Sequence, residues 1–463
     1  MNTFDVVILG AGPGGYVAAI RASQLGLKTA IIEKEQLGGV CLNWGCIPTK
    51  SLLRSAEVYR TVLHAKDFGV TLDHPKPDLQ KMVERSRAVA SQLSNGIKGL
   101  LKKNKVTHIQ GHGHFINDTT IEVDHNGKKQ RVIGKNIIIA TGARARELPH
   151  LKADGKRIWL AKHAMTPAFM PEKLLIVGSG AIGIEFASFY QTIGAQVTVV
   201  EMVDRILPQE DRDISKQAKK QFEAQGMIFH LSSSVTKLTS NLGDVEATIL
   251  DNNKKEVTEA YDAVILAIGI QGNTEELGLD KTKITVDKNQ IQVNEYNQTA
   301  HPHIYAIGDI AGAPWLAHKA SHEGIIVAEH IKGLKPHPIN KQNIPGCTYA
   351  HPQVASVGMT EDQVRDQKID VNIGMFPLMA NGKALAVGEP EGFIKTIFDK
   401  KTGELLGAHM IGHEVTEMIH GYVIAKQLET TEAELTHTIF PHPTLSEAMH
   451  ESVLAAFGQA IHY

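Results

Sequence analysis

The chain has 463 residues, too many for one ordinary hydrophobic core and enough for roughly two to four domains. Its 48 basic and 50 acidic residues leave a net charge of -2, a balance that argues against nucleic acid as the main partner. No apolar run reaches the roughly 18 residues of a membrane span, and three cysteines are no disulfide framework for a secreted chain of this size.

The first element is a strand, Val6-Val7-Ile8-Leu9, which begins so close to Met1 that no signal peptide is read and a bacterial cytosolic protein is expected, with the mature form of a mitochondrial matrix protein as the alternative. A Gly-rich turn follows, Gly10-Ala11-Gly12-Pro13-Gly14-Gly15, then about a dozen residues of helical pattern stopped by Gly26, then a second apolar run closing on Glu33. The same plan recurs later. Leu174-Leu175-Ile176-Val177 runs into Gly178-Ser179-Gly180-Ala181-Ile182-Gly183, a helical stretch stops at Gly194, and a strand ends on Glu201. Gly10 and Glu33 have the same separation as Gly178 and Glu201, so this is a βαβ unit written twice. In such a unit the first glycine makes the strand-to-helix turn. The second lets backbone N–H groups approach a pyrophosphate, and the third lets the helix pack against the strand. The helix N-terminus faces the phosphates, and the terminal acid accepts hydrogen bonds from an adenosine ribose. Two such units point to two dinucleotides.

Between the copies lies Cys41-Leu42-Asn43-Trp44-Gly45-Cys46-Ile47-Pro48-Thr49-Lys50. Gly45 and Pro48 suit a turn entering a helix, where a cysteine has a depressed pKa. A zinc site needs three or four ligands, and this stretch offers two cysteines and no histidine, so no metal is expected. A redox disulfide is the preferred reading, with two inert buried thiols left open. Lys50, taken alone, reads as a surface lysine.

Three further buried strands end where a cofactor would approach. They are Ile137-Ile138-Ile139 running to Thr141 and Gly142, Ala263-Val264-Ile265-Leu266 running to Gly269, and Ile304-Tyr305-Ala306 running to Asp309. Strands after residue 270 are therefore expected to return to the first domain. The tail has no phosphate loop and alternates strand-like pieces, such as Gly392–Phe398, with helical ones. Within it, His442 is a candidate acid–base group because an imidazole titrates near neutral pH. Thr444-Leu445-Ser446-Glu447 reads locally as a helix capping box. Cys347 stands alone and reads as a small core residue.

The cysteine segment resembles the redox-active disulfide of the flavoprotein pyridine-nucleotide disulfide oxidoreductases, and the resemblance runs over essentially the whole chain. It is especially similar to the branch that oxidises protein-bound dihydrolipoamide. The implied fold is α/β, with two Rossmann-like dinucleotide-binding domains and a C-terminal α+β dimerisation domain. The expected boundaries are 1–148 for FAD, 149–270 for NAD, 271–343 for a central domain returning to the first, and 344–463 for the dimerisation domain. The resemblance further implies FAD and NAD as cofactors. It makes Cys41 the interchange thiol and Cys46 the thiol against the flavin, and pairs Lys50 with Glu185 beside the flavin. Asp309 is implied at the ribityl chain, Ala317 along the flavin, Gly113 at the FAD adenine portion and Val235 at the NAD adenine. His442-Pro443-Thr444-Leu445-Ser446-Glu447 resembles the family's acid–base signature, with Glu447 holding the His442 ring. Trp315 departs from the methionine expected there, and Thr438-Ile439-Phe440-Pro441 from the common upstream spelling. The implied partners are a second copy of the chain and the lipoyl domain of a 2-oxoacid dehydrogenase acyltransferase or a glycine-cleavage carrier. A glutathione-reductase-like enzyme is the alternative within the class, and a non-catalytic nucleotide-binding subunit the alternative outside it.

Overall fold

The computed structural model describes residues 2–463, which divide into two compact units. The first comprises residues 2–52, 79–146 and 269–339, and the second residues 53–78, 147–268 and 340–463. The seam at 52 runs through a helix, so the stretch 53–78 goes with the second unit although the sequence placed it inside the first domain.

In the first unit, Asn2–Leu9 lies between Thr29–Glu33 and Lys128–Ile139, parallel to both. Thr107–Gln110 extends one side, and the antiparallel strands Thr120–His125 and His112–Asn117 extend the other. Val6, Val7, Ile8, Ile137, Ile138 and Ile139 are fully buried. Such unbroken apolar runs mark parallel strands covered on both faces. Ile304–Ala306 joins this sheet beside Ile137–Ile139, so the chain does return to the first sheet after its excursion. Helix α1 (Pro13–Gln24) connects the first two strands. The short helix α2 (Gly39–Trp44) is separated only by Gly45 from helix α3 (Cys46–Leu63). Helix α4 (Leu79–Lys103) buries Val83, Ser86, Ala90, Ile97 and Leu101, the three- and four-residue steps of one helical face.

The second unit holds a parallel sheet in the order Ile228–His230, Gln196–Val200, Lys173–Val177, Ala263–Leu266 and Ile158–Trp159. The helix Ala181–Thr192 connects its central pair. A three-stranded meander spans Ser234–Tyr261. The tail is a five-stranded antiparallel sheet in the order Gly346–Thr348, Gln353–Gly358, Leu405–Gly412, Phe393–Asp399 and Val371–Pro377. The helix Glu447–Ala456 buries Ala448, Met449 and Val453 in its core.

Lys395 sits in the middle of this tail sheet with its side chain 1% exposed. Its ammonium donates to Asp211 (2.9 Å), Asp213 (2.7 Å) and Glu361 (2.7 Å), so three carboxylates enclose one cation. Burial alone would pull the Lys395 pKa down; the three hydrogen bonds outweigh it and the net direction is up. Replacing Lys395 with methionine strands the equally buried Asp211. The expected loss is about 3–5 kcal/mol, as when one partner of a buried ion pair is removed. Denaturant unfolding of the variant checks this, and a parent-like midpoint would show that the cluster is not holding the tail sheet to the helix Arg212–Ala224.

Candidate active site

The two βαβ turns share one design. A Cβ on Gly15 would strike the Gly10 carbonyl oxygen, and one on Gly183 would strike that of Gly178. Only glycine allows helix and strand to approach this closely. Gly10 (φ 98°) and Gly178 (φ 101°) take the left-handed backbone of the turn itself. Gly14 serves a different neighbour, with Ala320 of the helix Ala317–Ile331 only 3.0 Å from where its Cβ would stand. Gly12 and Gly180 contrast with all of these, since a Cβ on either would meet nothing within 4 Å. Each is the N-cap of its helix, without a side-chain cap, so the first-turn N–H groups remain available to an anion. The acids close the cradles. Glu33 accepts from the N–H groups of Ala11 and Glu35 (both 2.8 Å), and burial raises its pKa in spite of those bonds. Glu201 accepts from the N–H and hydroxyl of Ser179 (both 2.8 Å) and from the N–H of Val203 (3.1 Å). These residues fit two dinucleotides, with a pyrophosphate against each helix start and a ribose beside each acid.

The strand ends anticipated as cofactor approaches are stitched together. The Asn273 side chain donates to the Thr141 carbonyl (2.9 Å), the Thr141 hydroxyl donates to the Asn273 carbonyl (3.1 Å), and the Asn273 N–H donates to Gly142 O (3.0 Å). The Arg146 N–H donates to Gly269 O at 2.9 Å. Gly113 packs under Leu9, Ile121 and Ile32 at the edge of the first sheet. Val235 is 4% exposed in the core with Val177 and Val200, so any contact it offers an adenine is through its main chain.

Cys41 lies in α2 and Cys46 is the first residue of α3, with Gly45 as the break between them. Both carry thiols here, joined by a hydrogen bond. Helix-terminal depression does not extend to Cys41: the bond to Cys46, then burial, pushes its pKa up against the pull of Lys50. Cys46 begins an 18-residue helix, a position where the helix N-terminus favours a thiolate.

Asp309 is carried on the turn Gly308–Ala311, which the sequence flagged, but the pair that holds this turn was not anticipated. Lys319 and Glu323 form an ion pair at 3.1 Å with side chains 2% and 7% exposed. The Lys319 ammonium donates to the Gly312 carbonyl (2.9 Å), and Glu323 accepts the Gly308 N–H (2.7 Å). Burial raises the Asp309 pKa, with Lys319 working against it. The four-residue spacing of Lys319 and Glu323 was a visible signal, but burial alone separates such a pair from an ordinary surface one. Ala317 begins the same helix, and Trp315 precedes it, 44% exposed.

In the second unit, Glu185 is 5% exposed and accepts the Tyr349 N–H at 3.0 Å. Cys347 is partly buried against the tail core, as a small apolar residue would be. His442 stands exposed with Nδ1 2.9 Å from Glu447 Oε1, while Glu447 Oε2 accepts the Thr444 N–H at 2.8 Å. Half of the expected capping box therefore forms. The Thr444 hydroxyl turns instead to Pro441 O, and the helix starts from Ser446 with no side-chain cap. Burial would raise the Glu447 pKa; the Thr444 N–H and His442 outweigh it and hold the carboxyl below its ordinary range. Both orienting the imidazole and receiving a backbone N–H thus fall to one side chain. Asp118, His301 and His303 also come together in the first unit. There His301 Nε2 accepts the Lys283 N–H and His303 Nε2 lies against Asp118 O, so both imidazoles are already engaged.

These arrangements describe a thiol pair, two dinucleotide cradles and an imidazole–carboxylate dyad, and comparison with known proteins agrees with that chemistry. Residues 4–324 match the family described as pyridine nucleotide-disulphide oxidoreductase, and residues 344–453 match its dimerisation domain. The chain is 55% identical over 462 residues to the dihydrolipoyl dehydrogenase of Zymomonas mobilis, covering 99% of each. It is 46% identical over 470 residues to that of Bacillus subtilis, again covering 99% of each. Among solved structures it superposes on LpdA from Mycobacterium tuberculosis with a TM-score of 0.91 at 27% identity, covering 98% of this chain and 99% of that one. With similarity running from the first βαβ turn through the tail sheet, the chain belongs to the pyridine nucleotide-disulphide oxidoreductase family.

Proposed function

We propose that this protein is a dihydrolipoyl dehydrogenase, oxidising protein-bound dihydrolipoamide with FAD and NAD. The observation that carries the reading is the hydrogen-bonded Cys41–Cys46 pair across the α2–α3 break, in a chain that also holds two dinucleotide cradles. In the oxidised enzyme these two sulfurs form a disulfide. One substrate thiol attacks Cys41 Sγ while His442 takes its proton; a mixed disulfide forms and Cys46 leaves as a thiolate. The second substrate thiol attacks the substrate sulfur of that mixed disulfide, releasing Cys41 and the oxidised lipoyl ring. FAD, when bound, carries the two electrons from the dithiol to NAD. Glu447 holds the His442 ring through Nδ1, leaving Nε2 to face the substrate.

The domain assignment follows the cradles: FAD at Gly10–Glu33 and NAD at Gly178–Glu201. Asp309, on a turn fixed by Lys319 and Glu323, would hold the ribityl chain. The tail matches a dimerisation domain, and a two-fold dimer would bring each His442 to the cysteines of the partner. No described helix is long and apolar enough to cross a membrane, and the bacterial relatives favour a cytoplasmic enzyme serving a lipoyl-bearing complex. A yellow purified protein with lipoamide-dependent NADH turnover tests the reading, and a colourless protein or one inert toward lipoamide overturns it.

Nucleotide choice supplies a separate test. The Glu201 carboxylate is anchored through both oxygens at the ribose position, where a 2′-phosphate would meet its charge. Such a like-charge contact costs several kcal/mol, so NAD should exceed NADP in kcat/KM by about 10²-fold or more. Glu201→Ala should shrink that ratio, and an unchanged preference would remove Glu201 from nucleotide selection. This also separates the reading from a glutathione-reductase-like enzyme using NADPH. Arg205, the nearest cation after Glu201, donates to Pro208 O and lies 3.9 Å from Asp204.

A further inference from the structure

The cysteine segment is held from behind by three consecutive residues of α4. Arg87 Nη1 donates to the Asn43 carbonyl at 2.7 Å, and its guanidinium lies over the Trp44 ring at 4.4 Å from the centroid. Ser86, fully buried, donates to the Pro48 carbonyl at 3.0 Å. Arg85 Nη1 donates to both the carbonyl (3.1 Å) and the hydroxyl (2.7 Å) of Ser51. The contacts fall on both sides of the break at Gly45: Arg87 grips the end of α2, and Ser86 and Arg85 grip the first turns of α3. Arg87 is committed to this contact. Its Nε and Nη2 are buried with no hydrogen-bond partner among the described residues, so Asn43 O and the Trp44 face are what compensate its burial.

We propose that Arg85, Ser86 and Arg87 are positioning residues that set the redox poise of the Cys41–Cys46 pair by holding α2 and α3 at disulfide-forming distance in the reduced enzyme. The inference rests on these cysteines being the redox pair. A disulfide closes only within narrow limits of Cα and Cβ separation. When the S–S bond breaks and two electrons enter, only the backbone through Gly45 still links the two helices. A loop that then relaxes must be reordered before the bond re-forms, and this shifts the equilibrium toward the dithiol. With Arg87 in place the dithiol stays near the closed geometry, and the disulfide is correspondingly easier to re-form. The action is geometric and requires no charge placed against either sulfur.

The test is equilibration of the holoenzyme in dithiothreitol buffers of graded oxidation. Alkylation and mass spectrometry of the Cys41–Cys46 peptide then give the dithiol fraction without reference to turnover. Arg87→Met should move the equilibrium constant about tenfold toward the dithiol, a rise of roughly 30 mV for this two-electron couple. Arg87→Lys keeps a cation for the Trp44 face and an N–H for Asn43 O, and should restore the parent value. A folded, flavin-containing Arg87→Met protein with the parent potential overturns the proposal, and so does a shift that Arg87→Lys leaves in place. If Arg87→Met does not fold, Ser86→Ala decides, with a smaller shift in the same direction supporting the proposal and no shift overturning it. A parent protein in which these cysteines never form a disulfide overturns the functional reading itself, which is a different result from a parent disulfide that ignores Arg87.

Discussion

His442→Gln should lower lipoamide turnover by about 10²–10⁴-fold, the usual contribution of a positioned acid–base group. Nothing else in the substitution accounts for a loss of that size. His442 is highly exposed and its ring is hydrogen-bonded to Glu447, so glutamine costs little packing. The FAD and NAD cradles use other residues, so flavin content and the rate of flavin reduction by NADH should be preserved. The loss must therefore appear only in the half-reaction with dihydrolipoamide. Glu447→Gln should behave differently. It keeps an acceptor for the Thr444 N–H but removes the charge that steadies an imidazolium, so a smaller loss is expected, with a changed pH profile. Stopped-flow separation of the two half-reactions measures both variants. Turnover of His442→Gln within a few fold of the parent would remove His442 from the chemistry.

What the sequence made legible was local. The glycine turns, the acids ending their strands and the Cys41–Cys46 spacing are written in contiguous residues, because backbone geometry at a turn depends on near neighbours. The return of Ile304–Ala306 to the first sheet was readable because a buried apolar run has to find a sheet. The supports behind the site were not readable. Arg85, Ser86 and Arg87 sit on an amphipathic helix whose pattern says only which face is buried; that they grip Asn43, Pro48 and Ser51 is a long-range fact. Lys319 and Glu323 look like any surface pair until burial is known. Glu447 was legible in two compatible ways, as a cap from its local sequence and as imidazole holder from the family resemblance, and the structure gives each carboxylate oxygen one task. The expected depression of a cysteine pKa does not hold at Cys41, whose partner is another sulfur.

The cysteine variants carry the largest effect and resolve two roles at once. Cys41→Ser and Cys46→Ser should each abolish lipoamide turnover, since neither can form the disulfide, but their spectra should differ. Cys46 begins α3, where a thiolate is favoured, and on the proposed assignment of Cys46 as the flavin-side thiol, Cys41→Ser should show a long-wavelength thiolate-to-flavin band without any reductant. Cys46→Ser should lack the band even after NADH or dithiothreitol. The reverse pattern would exchange the two assignments. The same inactive Cys41→Ser protein then tests whether sites are shared between subunits. Mixed with inactive His442→Gln under conditions that exchange subunits, it forms heterodimers. If His442 serves the partner's cysteines, one site in each heterodimer carries both lesions and the other carries none. Activity should reappear, approaching one working site per heterodimer. If His442 serves its own subunit, each site keeps one lesion and the mixture stays inactive. Mixed dimers demonstrated by differential tagging yet still dead would therefore overturn the shared site while leaving the acid–base role of His442 intact.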